Sequence, residues 1–555
     1  MADTQDPRAA FIDAALWHGP LEPAQEILAA HPELADGDIH TAAILGDDAA
    51  VRRLLAQNPA GATVKGGPRG WDALTHLCFS KFLRLDRSRS EAFVRAATAL
   101  LDAGANPNTG FYAEDHKPNP TIESALYGAA GVAHHPELTR LLVGRGADPN
   151  DGEVAYHSPE TLDNRAMKVL VESGKLTPES LAIMLVRKLD WQDDEGFAWL
   201  LEHGADPNFL SHWGDRPLHH ALSRGCRVEY FQLLLDRGAD PTLPLNDGTT
   251  AFAAAARMAR ADVLELFDRR GFTPALEGDD AFLAACARGD EATARRVAAG
   301  DPNLVPRLEE RNSGLLVDFA GSGSVEALRL MLDLGFDIGA ARSKPPWVAG
   351  ETALHAAVWR GRLPMVKLLL ERGAPLESRH RSGATPLAIA LRALVEQSEW
   401  TPNEFTLPIA EALLAAGAQL DPAMLTLAAA LCLGRTDDAA RLAQDASAAD
   451  LHVALEATAI NGKVDAMAML IERGVEINAG NRQVEPHATP LHNAVCSGSL
   501  AAVKLLVDHG ASVDAKDAAY QATPLEWAEY FLREAQSGKP AKQYAEIAAY
   551  LRGRQ

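Results

Sequence analysis

A similar segment recurs along this chain every 33 or 34 residues, and this period constrains the fold more than any other feature. Thr385 opens a copy 33 residues after Thr352, and Thr523 opens one 34 residues after Thr489. Within a copy, two short apolar stripes are each closed by a glycine, which is typical of two helices joined by a turn. One such pair cannot bury its own apolar face, so we expect successive copies to stack.

The copy over residues 350–377 indicates how a pair is built. Thr352 can cap the first helix through its hydroxyl group. Pro364 suits the first turn of a second helix that runs from Leu363 to Arg372. Gly373 can adopt the left-handed conformation that ends a helix without a steric penalty. The segment therefore predicts two short antiparallel helices.

The beginnings and ends of the copies follow a recognisable pattern. Thr489 to His492 reads Thr-Pro-Leu-His, and the segments Thr352 to His355 and Arg216 to His219 are close variants. In these features the chain resembles the ankyrin repeat family, whose unit is a β-turn finger plus two helices. The resemblance implies an all-α ankyrin-repeat solenoid of about sixteen repeats. A shared ending occurs at Gly104 to Asn108, Gly146 to Asn150, Gly204 to Asn208, Gly238 to Thr242 and Gly510-Ala511.

Two stretches lack the Gly-Ala ending and suggest how the chain is divided. Residues 11–59 are predicted to form a capping pair of compressed repeats, because a first repeat has solvent on one side. The stretch from Asp279 to Leu304 resembles this beginning. We therefore predict an N-terminal array over residues 1–275 and a C-terminal array over residues 276–555. One continuous array with a bend is the other interpretation.

The charge balance bears on the kind of partner. The 53 Lys and Arg residues are outnumbered by 75 Asp and Glu residues, for a net charge of −22. Nucleic-acid binders present clustered cations, so a nucleic-acid partner is disfavoured. The excess charge fits simple solubility or a basic protein or peptide partner. One basic cluster, between residues 79 and 91, is interpreted as a solvated extension of two helices or as a docking surface: Lys81, Arg84, Arg87 and Arg89.

Cysteine usage and hydropathy bear on the compartment. The five cysteines are few, odd in number and far apart, so we expect no disulfide framework and a reducing cytoplasm. Cys226 is expected to be exposed, whereas Cys286, Cys432 and Cys496 occupy positions of small buried hydrophobes. The chain begins without a basic lead into an apolar segment, and no run of about eighteen apolar residues occurs. We therefore expect neither secretion nor a membrane span.

No catalytic, metal or cofactor signature stands out. Gly321 to Ser324 only imitates a nucleophile elbow, because it lies between two amphipathic helices instead of after a buried strand. No glycine loop suited to phosphate binding occurs. The pair His134-His135 and the acidic run Asp190 to Glu195 are interpreted as surface turns, with Trp191 folded back in the second. For the histidines that end each opening, the family resemblance implies hydrogen bonds between adjacent fingers: His219, His355 and His492.

The preferred hypothesis is a non-catalytic, cytoplasmic scaffold that binds a protein or peptide in a concave groove. The resemblance places this groove along the fingers and the first helices. Trp, Tyr and Arg are the usual anchors of interfaces. For each residue the alternative is an exposed loop whose aromatic ring folds over its neighbour. The candidate contact residues are Phe111, Tyr112, Tyr156, His157, His212, Trp213, Trp347, Arg379, His380, Arg381 and Tyr520.

A second hypothesis is a small-molecule sensor or an enzyme. The repeats between Glu153 and Asp194 depart from the regular pattern. Tyr156, His157 and Trp191 would then line a pocket in this stretch. We expect converging His, Asp or Glu side chains if this hypothesis is right.

Overall fold

The computed structural model describes residues 6–113, 121–273, 276–394, 403–479, 488–517, 522–536 and 543–554, without the side chains of Asp36, Trp347, 403–405 and 534–536. Contacts between Cα atoms divide the chain into two compact units. Unit 1 comprises Met1–Ala254 with Glu265–Pro274, and unit 2 comprises Ala255–Leu264 with Ala275–Gln555.

Unit 1 consists mainly of short helices, with one two-stranded antiparallel sheet that pairs β1 (Gly110–Tyr112) with β2 (Ile122–Ser124). A single π-helical turn, Gly128–Val132, continues α8. The α-helices are α1 (Pro7–Ala15), α2 (Glu22–Ala30), α3 (Ile39–Leu45), α4 (Asp48–Gln57), α5 (Ala73–Cys78), α6 (Lys81–Leu85), α7 (Ser90–Asp102), α8 (Ala125–Tyr127), α9 (Pro136–Gly144), α10 (Glu153–His157), α11 (Arg165–Glu172), α12 (Pro178–Asp190), α13 (Asp194–Glu202), α14 (Pro217–Ser223) and α15 (Val228–Asp236).

Two helices have residues in both units, α16 (Ala251–Arg257) and α17 (Ala261–Arg269). The described residues of unit 2 are helical apart from turns and fingers. Its helices are α18 (Gly278–Arg288), α19 (Glu291–Gly300), α20 (Leu304–Arg311), α21 (Leu315–Ser322), α22 (Val325–Asp333), α23 (Ala353–Trp359), α24 (Leu363–Glu371), α25 (Pro386–Ala393), α26 (Asn403–Ala415), α27 (Leu427–Cys432), α28 (Thr436–Leu442), α29 (Ala448–Ile460), α30 (Val464–Glu472), α31 (Pro490–Ser497), α32 (Leu500–Asp508), α33 (Pro524–Gln536) and α34 (Tyr544–Arg552).

Helices pack against their neighbours in sequence. In unit 2 the first helices of successive pairs contact one another, as α21 does α23 and α23 does α25. The second helices do the same, from α22 to α24 and from α24 to α26. The predicted pair within residues 350–377 is confirmed: the Thr352 hydroxyl caps α23, and Gly373 follows α24 at φ +78°. The second helix ends at Glu371, one residue before the predicted end. The predicted number of repeats and the division near residue 276 stay predictions.

Side chains at matching positions join each finger to the next. The Nε2 atoms of His219, His355 and His492 lie 3.0, 3.3 and 3.1 Å from carbonyl oxygens about thirty residues further on. Asn208 clamps the following finger, because its Nδ2 donates to Gly238 O at 2.8 Å and its Oδ1 accepts from Asp240 N at 2.8 Å. These hydrogen bonds satisfy backbone groups of the fingers that lie outside helices and sheets. Three more asparagines make the same pair of bonds: Asn108, Asn150 and Asn478.

The basic cluster between residues 79 and 91 contacts backbone carbonyls of other segments, so it is not the solvated extension of two helices that one interpretation expects, and the docking surface stays a prediction. Lys81 is only 7% exposed and donates to Ala14 O at 2.7 Å, in the last turn of α1. Arg89 donates to the last carbonyl of α3, on Leu45, at 2.9 Å. Arg84 and Arg87 also donate to backbone carbonyls. Helix ends carry unpaired carbonyls and partial negative charge, so cations are favoured there.

The cysteine predictions are only partly right. Cys226, expected to be exposed, is fully buried, and its Sγ lies 3.6 Å from Leu189 O. Cys286 and Cys432 are buried as expected, whereas Cys496 is half-buried. Cys226 is covered because α12 packs beside α14, a contact that its own sequence neighbours do not reveal. In the part of the chain that the structure describes, every helix is too short or too polar to cross a bilayer.

Candidate functional site

Acidic and basic side chains alternate across the first helices of successive pairs in unit 1. His157, at the end of α10, lies between two carboxylates: its Nε2 is 3.2 Å from Glu153 and its Nδ1 is 2.8 Å from Glu160. Arg187 of α12 then forms ion pairs with both Glu160 and Asp190. The charges are therefore linked from one helix to the next.

The series continues from Asp190 to α14. His220 also lies between two carboxylates, with Nε2 2.7 Å from Asp190 and Nδ1 2.8 Å from Asp215. Arg224 Nε is 2.6 Å from the same oxygen of Asp190. Charge-assisted hydrogen bonds of this kind are the strong ones in proteins. We call this set the ion-pair ladder: Glu153, His157, Glu160, Arg187, Asp190, Asp215, His220 and Arg224.

The ladder favours the protonated form of both histidines. Burial lowers the pKa of His157, but the hydrogen bonds to its two glutamates outweigh burial and raise the pKa to about 9. The pKa of His220 is raised for the same reason, since its two aspartates outweigh burial. Burial raises the pKa of Asp190, yet His220 and Arg187 hold it below its ordinary value. The ladder is therefore a set of mutually neutralised charges.

A row of aromatic rings meets the ladder at His157. Tyr127 lies 5.0 Å from the His157 ring, and Phe79 packs edge-on against Tyr127 at 5.7 Å. Phe79 in turn stacks on Trp17 at 5.0 Å with nearly parallel planes. Such pairs stabilise by more than their buried area alone. We call these rings the aromatic row: Trp71, Phe111, Trp17, Phe79, Tyr127, His157, Tyr156 and Trp213.

The row ends at Trp213, at the tip of the finger that precedes α14. The Trp213 ring packs perpendicular to Tyr156, with centroids 5.7 Å apart, and remains 49% exposed. The Arg187 guanidinium lies 4.0 Å from the Tyr156 ring centroid, a cation–π distance. Next to Trp213, His212 Nδ1 is 2.6 Å from Glu179. The tryptophan is thus oriented by its neighbours and open to solvent on one side.

The predicted contact residues Phe111 and Tyr112 lie in β1. Phe111 stacks on Trp71 at 4.1 Å with planes only 15° apart, so its ring serves packing. Tyr112, the next residue, is 66% exposed. Successive side chains of a strand point to opposite faces, which explains why one ring is covered and the other free.

The other predicted contact and pocket residues belong neither to the ion-pair ladder nor to the aromatic row. Arg379, His380 and Arg381 lie on a finger of unit 2, with both arginines exposed. The side chain of Trp347 and the whole of Tyr520 lie outside the described residues. Trp191, assigned to a pocket in the second hypothesis, is 37% exposed after α12 and is not folded back as expected.

Two expected surface turns contain buried polar side chains that their sequence patterns do not reveal. Asp190 belongs to the ladder, and Asp193 is 6% exposed, 2.7 Å from the fully buried Nζ of Lys188. His135 is 1% exposed and accepts from Leu138 N at 3.2 Å. The sequence does carry one signal: Arg187 and Lys188 interrupt an apolar run in the segment that forms α12, where unpaired buried cations are unfavourable.

Metal ligation has no support in the described ranges, where His, Cys, Asp and Glu side chains form no group of three or more suited to an ion. In the ladder both ring nitrogens of each histidine face carboxylates. The arrangement therefore orders a set of largely buried charges, in which both nitrogens of each imidazole are paired with carboxylates.

A sequence model of the family described as ankyrin repeats (3 copies) matches residues 188–274, 281–381, 316–424, 425–517 and 451–535, more than half of the chain. Ankyrin repeat domain-containing protein SAT10 of Stachybotrys chartarum is 31% identical over 161 residues, 28% of this chain and 8% of that protein. Human SH3 and multiple ankyrin repeat domains protein 2 is 29% identical over 209 residues, 35% of this chain and 10% of that protein.

Human ankyrin repeat and SOCS box protein 16 is 27% identical over 201 residues, which cover 34% of this chain and 43% of that protein. The matches thus span less than half the length of each of these relatives. Among solved structures, the human ASB11 ankyrin repeat domain is similar at 22% identity, with a TM-score of 0.20. That match covers 43% of this chain and 97% of the solved one.

Proposed function

Because the chain belongs to the ankyrin repeat family, we propose that it is a non-catalytic cytoplasmic scaffold that binds a protein or peptide along its fingers and first helices. Family members of this kind generally bind proteins. The proposed contact residues are Tyr112, Tyr156, His157, His212, Trp213, Trp347, Arg379, His380, Arg381 and Tyr520.

The observation that carries the proposal is the position of Trp213. An indole that is 49% exposed loses little conformational freedom on binding when its ring is already held by Tyr156. Tyr156 is itself held by Arg187 of the ladder. Aromatic anchors that are ordered before binding are typical of interface hot spots. Trp213 is therefore proposed as the principal anchor in unit 1.

Charge supports the choice of partner. The net charge of −22 favours encounter with a basic protein and disfavours a nucleic acid. The ladder contributes little to this attraction, because its charges neutralise one another. Long-range charge would thus set the rate of encounter, and the aromatic anchor would set the lifetime of the complex.

The test is affinity purification from the native lysate with the full chain, followed by mass spectrometry. Trp213→Ala should lose partners that the wild-type chain retains at both low and moderate salt. Trp191→Ala is the matched control, because it removes a tryptophan of similar exposure from a helix connection away from the fingers. If both variants retain the same partners as wild type, the proposed role of Trp213 is wrong.

The small-molecule hypothesis has weaker support. Tyr156 and His157 are in contact, as that hypothesis requires. However, the Tyr156 ring packs against Arg187. The His157 ring lies between two glutamates. A thermal-shift screen of the intact chain against metabolites would favour a sensor if one compound stabilised the wild type and not Tyr156→Ala.

A further inference from the structure

Two adjacent fingers of unit 2 carry exposed cations in an otherwise acidic chain. The first finger spans residues 337–351 and the second spans residues 375–384. Lys344 lies on the first, and Arg379 and Arg381 lie on the second; all three are exposed. Within the described residues none of the three makes an ion pair. We call these three residues the basic finger pair.

Backbone contacts hold the two fingers together. Arg381 N donates to Ala349 O at 2.8 Å, across the gap between the fingers. Gly350 sits at φ +85°, and a Cβ there would lie 2.6 Å from Arg379 O, so only glycine permits this approach. The second finger is closed by His380 N donating to Ala384 O at 2.9 Å. The cations are therefore presented from a preorganised backbone.

Arg342, two residues before Lys344, is paired by the fold, in contrast to the three exposed cations. Arg342 donates to Asp318 at 2.7 Å and to Glu351 at 3.1 Å, so the fold neutralises it. Arg379 makes one contact through Nη1, to Gly383 O at 2.9 Å, and its other donors stay available. This contact is to a neutral carbonyl, so within the described residues Arg379 has no ion-pair partner.

The two fingers also carry two exposed carboxylates, Asp337 and Glu377, which the three cations exceed by one charge. At physiological ionic strength the screening length is about 8 Å, so exposed charges further away contribute little at the fingertips. The distant excess of carboxylates acts on encounter, whereas the nearby cations act on what finally docks there.

We propose that the basic finger pair binds an acidic segment, a run of Asp or Glu side chains in a protein partner. Arginine is suited to this role because its planar guanidinium can bind a carboxylate through two parallel hydrogen bonds. A polyphosphate chain such as a nucleic acid is the weaker choice, since its long charged backbone would meet the acidic remainder of the chain. The inference rests on the proposed scaffold function and names the chemistry of one of its contacts.

The test uses the full chain and a fluorescein-labelled oligo-glutamate peptide, with binding followed by fluorescence anisotropy at low and physiological salt. Wild type should bind the peptide, more weakly as salt rises. Arg379→Glu with Arg381→Glu should weaken binding by about tenfold or more. Arg379→Lys with Arg381→Lys should retain most of it, which separates loss of charge from loss of fold.

The matched control is Arg329→Glu with Lys367→Glu. These residues are exposed on the second helices α22 and α24 of the same unit, so the double variant makes the same charge change away from the fingers. It should bind as wild type does. Equal loss in both glutamate variants, or no binding by wild type, would overturn the inference. If the inference fails in this way but Trp213→Ala still loses a protein partner that the wild-type chain retains, the scaffold function remains supported.

Discussion

The Nδ1 atom of His157 lies 2.8 Å from Glu160, while Nε2 of the same ring lies 3.2 Å from Glu153. One imidazole thus joins two carboxylates of the same repeat. Arg187, on the next first helix α12, forms an ion pair with Glu160. The ladder orders the surface from which Tyr156 and Trp213 project. Because the ladder contains two protonated histidines, we expect the free energy of unfolding of unit 1 to depend on pH.

We expect His157 to make unit 1 less stable as the pH rises above neutrality. Its pKa is raised from 6.5 to about 9 in the folded chain, so the stabilisation is fully present below pH 6.5 and is lost as the pH approaches 9. The slope should be at most about 1.4 kcal/mol per pH unit from this residue. Amide hydrogen exchange of α10 and α12 across this range measures the slope, and His157→Gln should reduce it to the part contributed by His220. A slope unchanged in that variant would contradict the assignment.

Lys188→Met should strongly destabilise the contact between α12 and α13. The substitution leaves Asp193 buried without its cation, which costs roughly 3 to 5 kcal/mol. Lys168→Met is the control, because Lys168 pairs with the 73% exposed Glu195, and surface pairs contribute about 0 to 1 kcal/mol. Urea unfolding followed at unit 1 distinguishes the two, and similar losses in both variants would be inconsistent with a buried pair.

Asn208→Ala should loosen the finger that follows it. The variant removes two hydrogen bonds, to Gly238 O and from Asp240 N, each contributing about 0.5 to 1.5 kcal/mol. Faster amide exchange at Asp240 is the expected readout. Gln232→Ala, an exposed amide on α15, should change local stability by less than about 0.5 kcal/mol. If Asp240 exchanges no faster in Asn208→Ala, the clamp is not stabilising.

Leu369→Ala should act locally, because each repeat contacts mainly its neighbours. Leu369 is fully buried in α24, and its truncation should cost about 2 to 5 kcal/mol. Amide hydrogen exchange should become faster in α22, α24 and α26 and stay unchanged in α3 and α5. Lys367→Ala, exposed on the same helix, is the control. One undisturbed melting step for the variant chain would count against this expectation.

Much of the fold follows from local sequence. Thr352, Pro364 and Gly373 specify where a helix begins and ends through their own hydroxyl, ring and conformational freedom, so their roles could be predicted without tertiary information. The period of 33 or 34 residues predicts the stacking, since it indicates which helices become neighbours. The family assignment follows from the same two features.

The surface chemistry was decided by packing between repeats. The sequence indicates a surface turn at Asp190, because its partners His220 and Arg224 lie thirty or more residues further along the chain. Cys226 was expected at the surface for the same reason. The basic residues after Phe79 could not be recognised as caps of helix ends until the carbonyls of α1 and α3 were placed beside them.

The repeating unit thus follows from the residues of each copy, because capping, turn formation and apolar periodicity act within a few residues. Which charges are paired and which rings are covered follows from how the copies pack. Burial and ion pairing depend on distances between side chains of different repeats, and those distances exist only after the helices have stacked.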